Sequence, residues 1–248
     1  MPRRFIKAIR AGFGFLTTIP VGFNHEDLES LASRMWVFII VGATVGLLVG
    51  GVSYALTFTP HLNDFVHAGL TLVALYALTG FIHLDGLADV GDGLLKHGTI
   101  KERLRVIKDP YIGVGGISFC ALAFLLLFSA VTSIKSAALI PAFVTAEAAA
   151  KLSMVEVASL GNATHSGLGS RFSERSGPLT LLAALLLTGA VAIFCFGAKG
   201  IVVLLPPIAL SFGLVRLANR AFGGINGDVI GASNELARLT ALIAIGLL

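Results

Sequence analysis

The sequence predicts an all-α, polytopic membrane bundle of about six or seven transmembrane helices with an interfacial helix at its amino end, and three observations carry that prediction. Hydrophobic residues make up 56% of the 248 and charged residues only 13%, about half the charged share of soluble globular domains, and the mean hydropathy is +0.90. The apolar residues gather in runs close to the ~20 needed to cross a bilayer, at 35–58, 65–83, 112–132, 137–158, 178–197, 200–220 and 229–248. The basic residues divide unequally between the loops that join these runs. Residues 1–248 therefore read as a single integral-membrane domain embedded in a lipid bilayer.

At the amino end Phe5, Ile9, Phe13 and Leu16 recur near helical spacing opposite Lys7 and Arg10. That pattern predicts a helix lying in the membrane interface, ended by Pro20. Lys7 and Arg10 interrupt the first apolar stretch and no small-residue cleavage site follows, which argues against a cleavable signal peptide. Asn24 to Arg34, with Glu26, Asp27 and Glu29, reads as a polar connector, so residues 1–34 form interfacial helix and connector. Pro206 and Pro207 are expected to kink the span at 200–220. Cys120 and Cys195 sit in separate spans and read as small buried hydrophobes.

With the amino end in the cytoplasm, that side carries Arg3, Arg4, Lys7, Arg10 and Arg34, the cluster from Lys96 to Lys108, Arg171, Arg175, Arg216, Arg220 and Arg238. The other side carries Lys135 and Lys199. This positive-inside imbalance fixes the orientation in the cell membrane and accounts for the net charge of +4 without a nucleic-acid partner. It also puts the segments 84–111, 159–177 and 221–228 on the cytoplasmic face, where 84–111 is expected as a catalytic loop.

That loop opens with three aspartates in eight residues. On a helix Asp85, Asp89 and Asp92 stand at i, i+4 and i+7, so their carboxylates share one face. Clustered like charges beside hydrocarbon are tolerable when a hard divalent cation neutralises them, which makes the three a candidate Mg²⁺ site, with Mn²⁺ as the alternative. His83 precedes them as a candidate general base. Arg103, Arg105 and Lys108 follow, then Asp109 and the glycines 113, 115 and 116. Acids, bases and a glycine-rich helix start together suit a metal-bound pyrophosphate. Read separately, the bases are a positive-inside anchor, and Gly115 and Gly116 are helix contacts.

Two further segments face the same side. Residues 162–177 bring His165, Ser170, Arg171 and Arg175, suited to an anionic substrate or to an ordinary surface connector. Asn226, Gly227 and Asp228 open the last span, with Glu235 two turns deeper and Arg238 beside it. Carboxylates at 228 and 235 would be costly in lipid, so both are expected at the acidic site, Asp228 adding to the metal shell or orienting a substrate hydroxyl. Glu147 and Lys151, at i and i+4 within a span, read as mutual neutralisation.

The chain resembles the cobalamin synthase family, the adenosylcobinamide-GDP ribazoletransferases. The match runs through His83-Leu-Asp85-Gly86-Leu-Ala-Asp89 with Asp92-Gly93, Lys108-Asp109 with the glycines after it, Gly167-Leu-Gly169, and Gly223-Gly224 with Gly227-Asp228 and Gly231. The resemblance implies a Mg²⁺-dependent transfer of the corrinoid phosphate of adenosylcobinamide-GDP to α-ribazole or its 5′-phosphate, releasing GMP. It also makes a homo-oligomer an expectation. In that reaction Asp85, Asp89 and Asp92 would hold the metal, while Arg103, Arg105, Lys108 or Arg171 would neutralise the leaving GMP. Asp92 or His83 would accept the proton. The rival readings are a CDP-alcohol phosphotransferase, whose Ala-Arg step and aspartate spacing are missing here, and a cation-coupled transporter. Against the transporter, the charges crowd one face and no inverted repeat is apparent.

Overall fold

The computed structural model describes residues 2–164 and 167–248. Along the chain run α1 (Pro2–Leu16), α2 (His25–Ala32), α3 (Val37–Leu56), α4 (Asp64–Thr79), α5 (Ile82–Leu95), α6 (Ile100–Ile107), α7 (Val114–Ser133), α8 (Leu139–Leu160), α9 (Leu168–Arg175), α10 (Pro178–Phe196), α11 (Lys199–Phe222) and α12 (Gly227–Gly246). Six of these, α3, α7, α8, α10, α11 and α12, are long and apolar enough to cross a membrane. No strand occurs among the described residues; their one β-bridge joins Ala163 to Ile225.

α8 is the hub, with every residue from Thr145 to Ala158 buried, and α3, α10, α11 and α12 pack round it. α3 fits closely because Gly42, Gly46 and Gly50, one turn apart, face the α8 backbone; a Cβ at Gly46 would collide with the Phe143 carbonyl. α10 stands outermost and turns Leu179, Leu182, Leu186 and Phe194 outward, as a lipid-facing helix must.

The 16 residues of α4 reach only about 24 Å at about 1.5 Å per residue, short of the roughly 30 Å hydrocarbon core. It meets the length and hydropathy of a span only together with α5, as a pair bent by 98°. Its start meets the tips of α3, α7 and α8 around a cavity lined by Thr57, Asp64, His67, Thr132 and Leu139, and its end feeds α5 at the opposite pole. The bundle thus has six spans, or seven if α4 and α5 count as one broken span, within the expected range.

Several expectations are corrected in detail. The polar connector at 24–34 is helical: Asn24 caps α2, accepting from the Asp27 N–H at 3.0 Å, while the Asp27 carboxylate accepts from the Asn24 N–H at 3.1 Å. α1 ends at Leu16, ahead of Pro20. The span expected at 65–83 stops at Thr79, where Gly80 and Phe81 take left-handed φ values of 69° and 59° and the chain turns through 98° into α5. The catalytic loop at 84–111 is mostly helix, α5 followed by α6.

α1 and α2 lie against the bundle as a strap. Lys7 pairs with Glu26 at 2.6 Å, Arg10 with Asp27, and Arg175 of α9 with Glu29 at 2.5 Å. Burial works against the Asp27 carboxylate, but hydrogen bonds from Arg10 and the Asn24 N–H outweigh it and hold its pKa below the usual range. Phe5 stacks on Trp36 at 5.8 Å and completes the seam.

Candidate active site

The site begins at the bend. Phe81 is one of two described non-glycine residues with positive φ, a strained placement that concentrates at functional positions. Immediately after it α5 starts and presents Asp85, exposed, then Asp89 and Asp92, half-buried.

The start of α12 meets α5 at Gly86. A Cβ there would lie 2.6 Å from the Asp228 carbonyl oxygen, so only glycine lets the two backbones touch. α9 joins in the same way: a Cβ at Gly169 would lie 2.6 Å from the Gly227 nitrogen. The last helix therefore sets its first turn beside the first turn of α5. Asp228, Asp85 and Asp92 all bear on Asp89 electrostatically, Asp228 most strongly. Asn226 holds this turn in place: its Oδ1 accepts from the Val229 N–H at 2.9 Å, and its Nδ2 donates to Asp228 at 2.9 Å.

Asp92 has a role that its spacing does not reveal. Its Oδ2 accepts from the Gly113 N–H at 2.7 Å and its Oδ1 from the Gly116 N–H at 2.9 Å. It caps α7 from another helix, which satisfies donors that α7 cannot pair internally. Gly115 and Gly116 are buried where α7 presses on α5, with no room for a Cβ beside Asp92. They serve as packing contacts, the plainer of the two readings their sequence allows.

Two concavities have charged linings, and one of them includes two of the acids. One, about 330 Å³, is lined by Phe15, Phe38 and Phe172, with His83, Asp85 and Asp228 at one side. The other, about 920 Å³, is lined by Lys101, Arg105, Lys108 and Asp109 on α6 and the turn after it. Arg103 is turned away from the second, its Nη1 donating to the Leu94 carbonyl at 3.2 Å at the end of α5. Ser170 is spent on its own helix, exchanging hydrogen bonds with the Gly167 N–H and carbonyl at 2.9 Å each. Arg171 is exposed on α9, Gly227 is exposed at the start of α12, and His165 lies outside the described residues.

Glu235 is not at the acidic face but beneath it. Tyr76 donates to it at 2.8 Å, Arg238 at 2.6 Å and Asn234 at 3.0 Å. Arg238 also grips Glu147, and Lys151 pairs with Glu147 at 3.3 Å and donates to Asn234 at 2.6 Å. Pairing of Glu147 with Lys151 is legible in their spacing; the bridge through Arg238 is not. Glu235 and Arg238 lie about two and three turns beyond Asp228 on α12, so this network sits deeper in the bundle than the acids.

Asp85, Asp89 and Asp228 are carboxylates, the donors a hard cation takes, and among the described residues no cationic side chain is bonded to Asp85, Asp89 or Asp92. Nor do any three of the described His, Cys, Asp and Glu side chains close into a metal cage. His83 is buried, and its Nδ1 has no hydrogen-bond partner among the described residues. The residues that spacing alone misses are Gly86, which makes the α5–α12 contact, and the phenylalanines of the small cavity. Gly86 lies inside the recognised motif, whereas the phenylalanines come from separated segments.

Residues 8–246 match the profile of a family described as cobalamin-5-phosphate synthase. The chain is 36% identical to the adenosylcobinamide-GDP ribazoletransferase of Methanococcoides burtonii, covering 97% of this chain and 92% of that one. It is 33% identical to the enzyme of that name from Methanosarcina barkeri, covering 98% and 93%, and 36% identical to the one from Halorubrum lacusprofundi, covering 96% of each. No solved structure matches the chain.

Proposed function

The chain belongs to the cobalamin-5-phosphate synthase family, and on that premise we propose that it transfers the corrinoid-bearing phosphate of adenosylcobinamide-GDP to a ribose hydroxyl of α-ribazole or its 5′-phosphate. The products are adenosylcobalamin or its 5′-phosphate and GMP. The single observation that carries the residue assignments is the contact of α12 with α5 at Gly86, which brings Asp228 up to Asp85 and Asp89.

Asp85, Asp89 and Asp228 would hold Mg²⁺, or Mn²⁺, which supplies charge neutralisation along the pyrophosphate when bound. The acceptor hydroxyl forms a new P–O bond at the corrinoid phosphate as the P–O bond to GMP breaks. His83 takes the hydroxyl proton: it lines the small cavity and its buried Nδ1 has no hydrogen-bond partner among the described residues, whereas both oxygens of Asp92 accept from α7. Arg105 and Lys108, on the basic concavity, neutralise the departing GMP. Asp92, a candidate ligand and base by its spacing, instead anchors the start of α7.

The basic-residue distribution supports a cytoplasmic active face in the cell membrane. Impermeant thiol reagents on intact cells should then label Lys135→Cys, while Lys101→Cys should react only after permeabilisation. The activity is tested in proteoliposomes by GMP release from adenosylcobinamide-GDP, with CMP release from CDP-diacylglycerol and ion flux as the rival readouts. Acceptor-dependent GMP release supports the reading; release of CMP alone, or flux alone, overturns it.

A further inference from the structure

We propose that the small cavity is the pocket for the aromatic base of the acceptor, and that Phe15, Phe23, Phe38 and Phe172 determine which bases it admits. This rests on the reading that the acceptor is a base carried on a ribose.

Three of the rings are packed into one another. Phe15 and Phe172 lie 5.5 Å apart between centroids, Phe38 and Phe172 5.6 Å, and Phe15 and Phe38 6.4 Å. Each ring comes from a different element, α1, α3 or α9, and the tilted and edge-on arrangement leaves little freedom to collapse. Phe38 and Phe172 are buried, and form the floor. Phe23, 41% exposed, reaches in from the α1–α2 connection. It can do so because Gly14 has no side chain: a Cβ there would collide with the Phe23 ring.

The chemistry of the cavity is divided. Its walls are aromatic and aliphatic, and its polar groups, His83, Asp85 and Asp228, belong to the acidic site. His83 lines the cavity beside Asp85 and Asp228, and its buried Nδ1 has no hydrogen-bond partner among the described residues, so the polar end of an occupant belongs with these three. The occupant is therefore flat and apolar over most of its length, with hydroxyls at one end. A benzimidazole on a ribose has that form. Seated with its base against the phenylalanines, it delivers its sugar hydroxyl to His83 and the carboxylates.

Size and edge chemistry exclude the other parts of the reaction mixture. A volume of about 330 Å³ is at the small end of ligand sites, roughly 300–1,000 Å³, and cannot enclose a corrinoid. Guanine carries donors and acceptors round its edge, and burying them against phenyl rings would leave them unpaired. An acyl chain would use the walls but not His83.

The test uses the full chain in proteoliposomes with adenosylcobinamide-GDP and either α-ribazole or its adenine counterpart as acceptor. Phe23→Ala and Phe172→Ala should each raise KM for α-ribazole at least tenfold, leave KM for the donor within twofold, and narrow the preference for α-ribazole over the adenine acceptor. Phe23→Trp, which restores a flat ring, should recover most of the loss. Because Phe172 is buried and its removal can unfold the protein, the half-exposed Phe23 is the deciding position. Equilibrium binding of α-ribazole alone, by calorimetry, gives a readout independent of turnover. If wild-type protein binds α-ribazole and Phe23→Ala does not, the pocket stands even were GMP release to fail and the transferase reading with it. A rise in donor KM with acceptor KM unchanged would assign the cavity to guanine and overturn the proposal. So would unchanged binding and kinetics in folded Phe23→Ala, or displacement of α-ribazole by phospholipid.

Discussion

The protein holds two sets of ionisable side chains only a helix turn or two apart, and they are organised on opposite principles. Glu147, Lys151, Glu235 and Arg238 lie inside the bundle with each acid matched to a base, and Tyr76 and Asn234 supply further hydrogen bonds. Above them Asp85, Asp89 and Asp228 face one another with like charges, and among the described residues no basic side chain is bonded to Asp85 or Asp89. The first set is complete without a ligand; in the second, Asp85 and Asp89 have no such basic partner among the described residues. Buried charge in a membrane helix therefore does not by itself mark catalysis. What distinguishes the two sets is whether the fold has already balanced the charge.

That contrast can be broken most severely at Arg238. Arg238→Leu leaves Glu147 and Glu235 buried without their shared partner and should cost about 3–5 kcal/mol of stability, read as a large fall in thermal denaturation temperature in detergent. Adding Glu147→Gln should restore part of it, because the stranded charge is then removed. No change in melting would mean that the network is ornamental to the fold.

The acidic face should respond the other way. Asp89→Asn and Asp228→Ala should each lower turnover by at least about a hundredfold, the scale of losing a metal-shell or catalytic partner. Melting should stay level or rise slightly, since one of several repelling charges has gone. A melting loss like that of Arg238→Leu, with turnover retained, would move these residues into the structural set.

Asp92 sits between the two behaviours. Asp92→Asn keeps one acceptor for the start of α7 but turns an N–H donor toward another, an unsatisfied contact worth about 1–3 kcal/mol. Stability should therefore fall with turnover changed less than tenfold. A hundredfold loss of turnover at unchanged melting would return Asp92 to the chemistry.

The smallest effect is expected in the strap. The Asp27 pKa is depressed, so its pairing with Arg10 is fully present at neutral pH and is lost as pH falls through the depressed value. Trp36, stacked on Phe5 across that seam, reports the change. Its fluorescence should shift only below about pH 3.9, the ordinary aspartate value; a transition above that would detach the strap from Asp27.

Much of this architecture is legible in the chain because hydrophobic runs and the i, i+4, i+7 aspartates are local signals. The membrane bundle and the acidic face of α5 follow from them directly. The start of α12 is legible too, because Asn226, Gly227 and Asp228 form a recognisable cap. Relations between distant segments are not. That Asp92 caps α7, that Arg238 bridges two acids, and that Phe15, Phe38 and Phe172 share one floor depend on how helices cross, and no periodicity records it. The segment at 24–34 departs from expectation for another reason: its polarity suggests a connector, while the capping box of Asn24 and Asp27 makes it a helix.

The crossing at Gly86 also sets an order of events during synthesis. α5 leaves the ribosome and can reach the membrane while α12 is still unmade, so a nascent chain carries Asp85 and Asp89 but neither Asp228 nor the wall that it and its neighbours provide. Capacity to act on an activated donor arrives only with the final helix. A chain halted before α12 should therefore turn over no donor even with α5 in place.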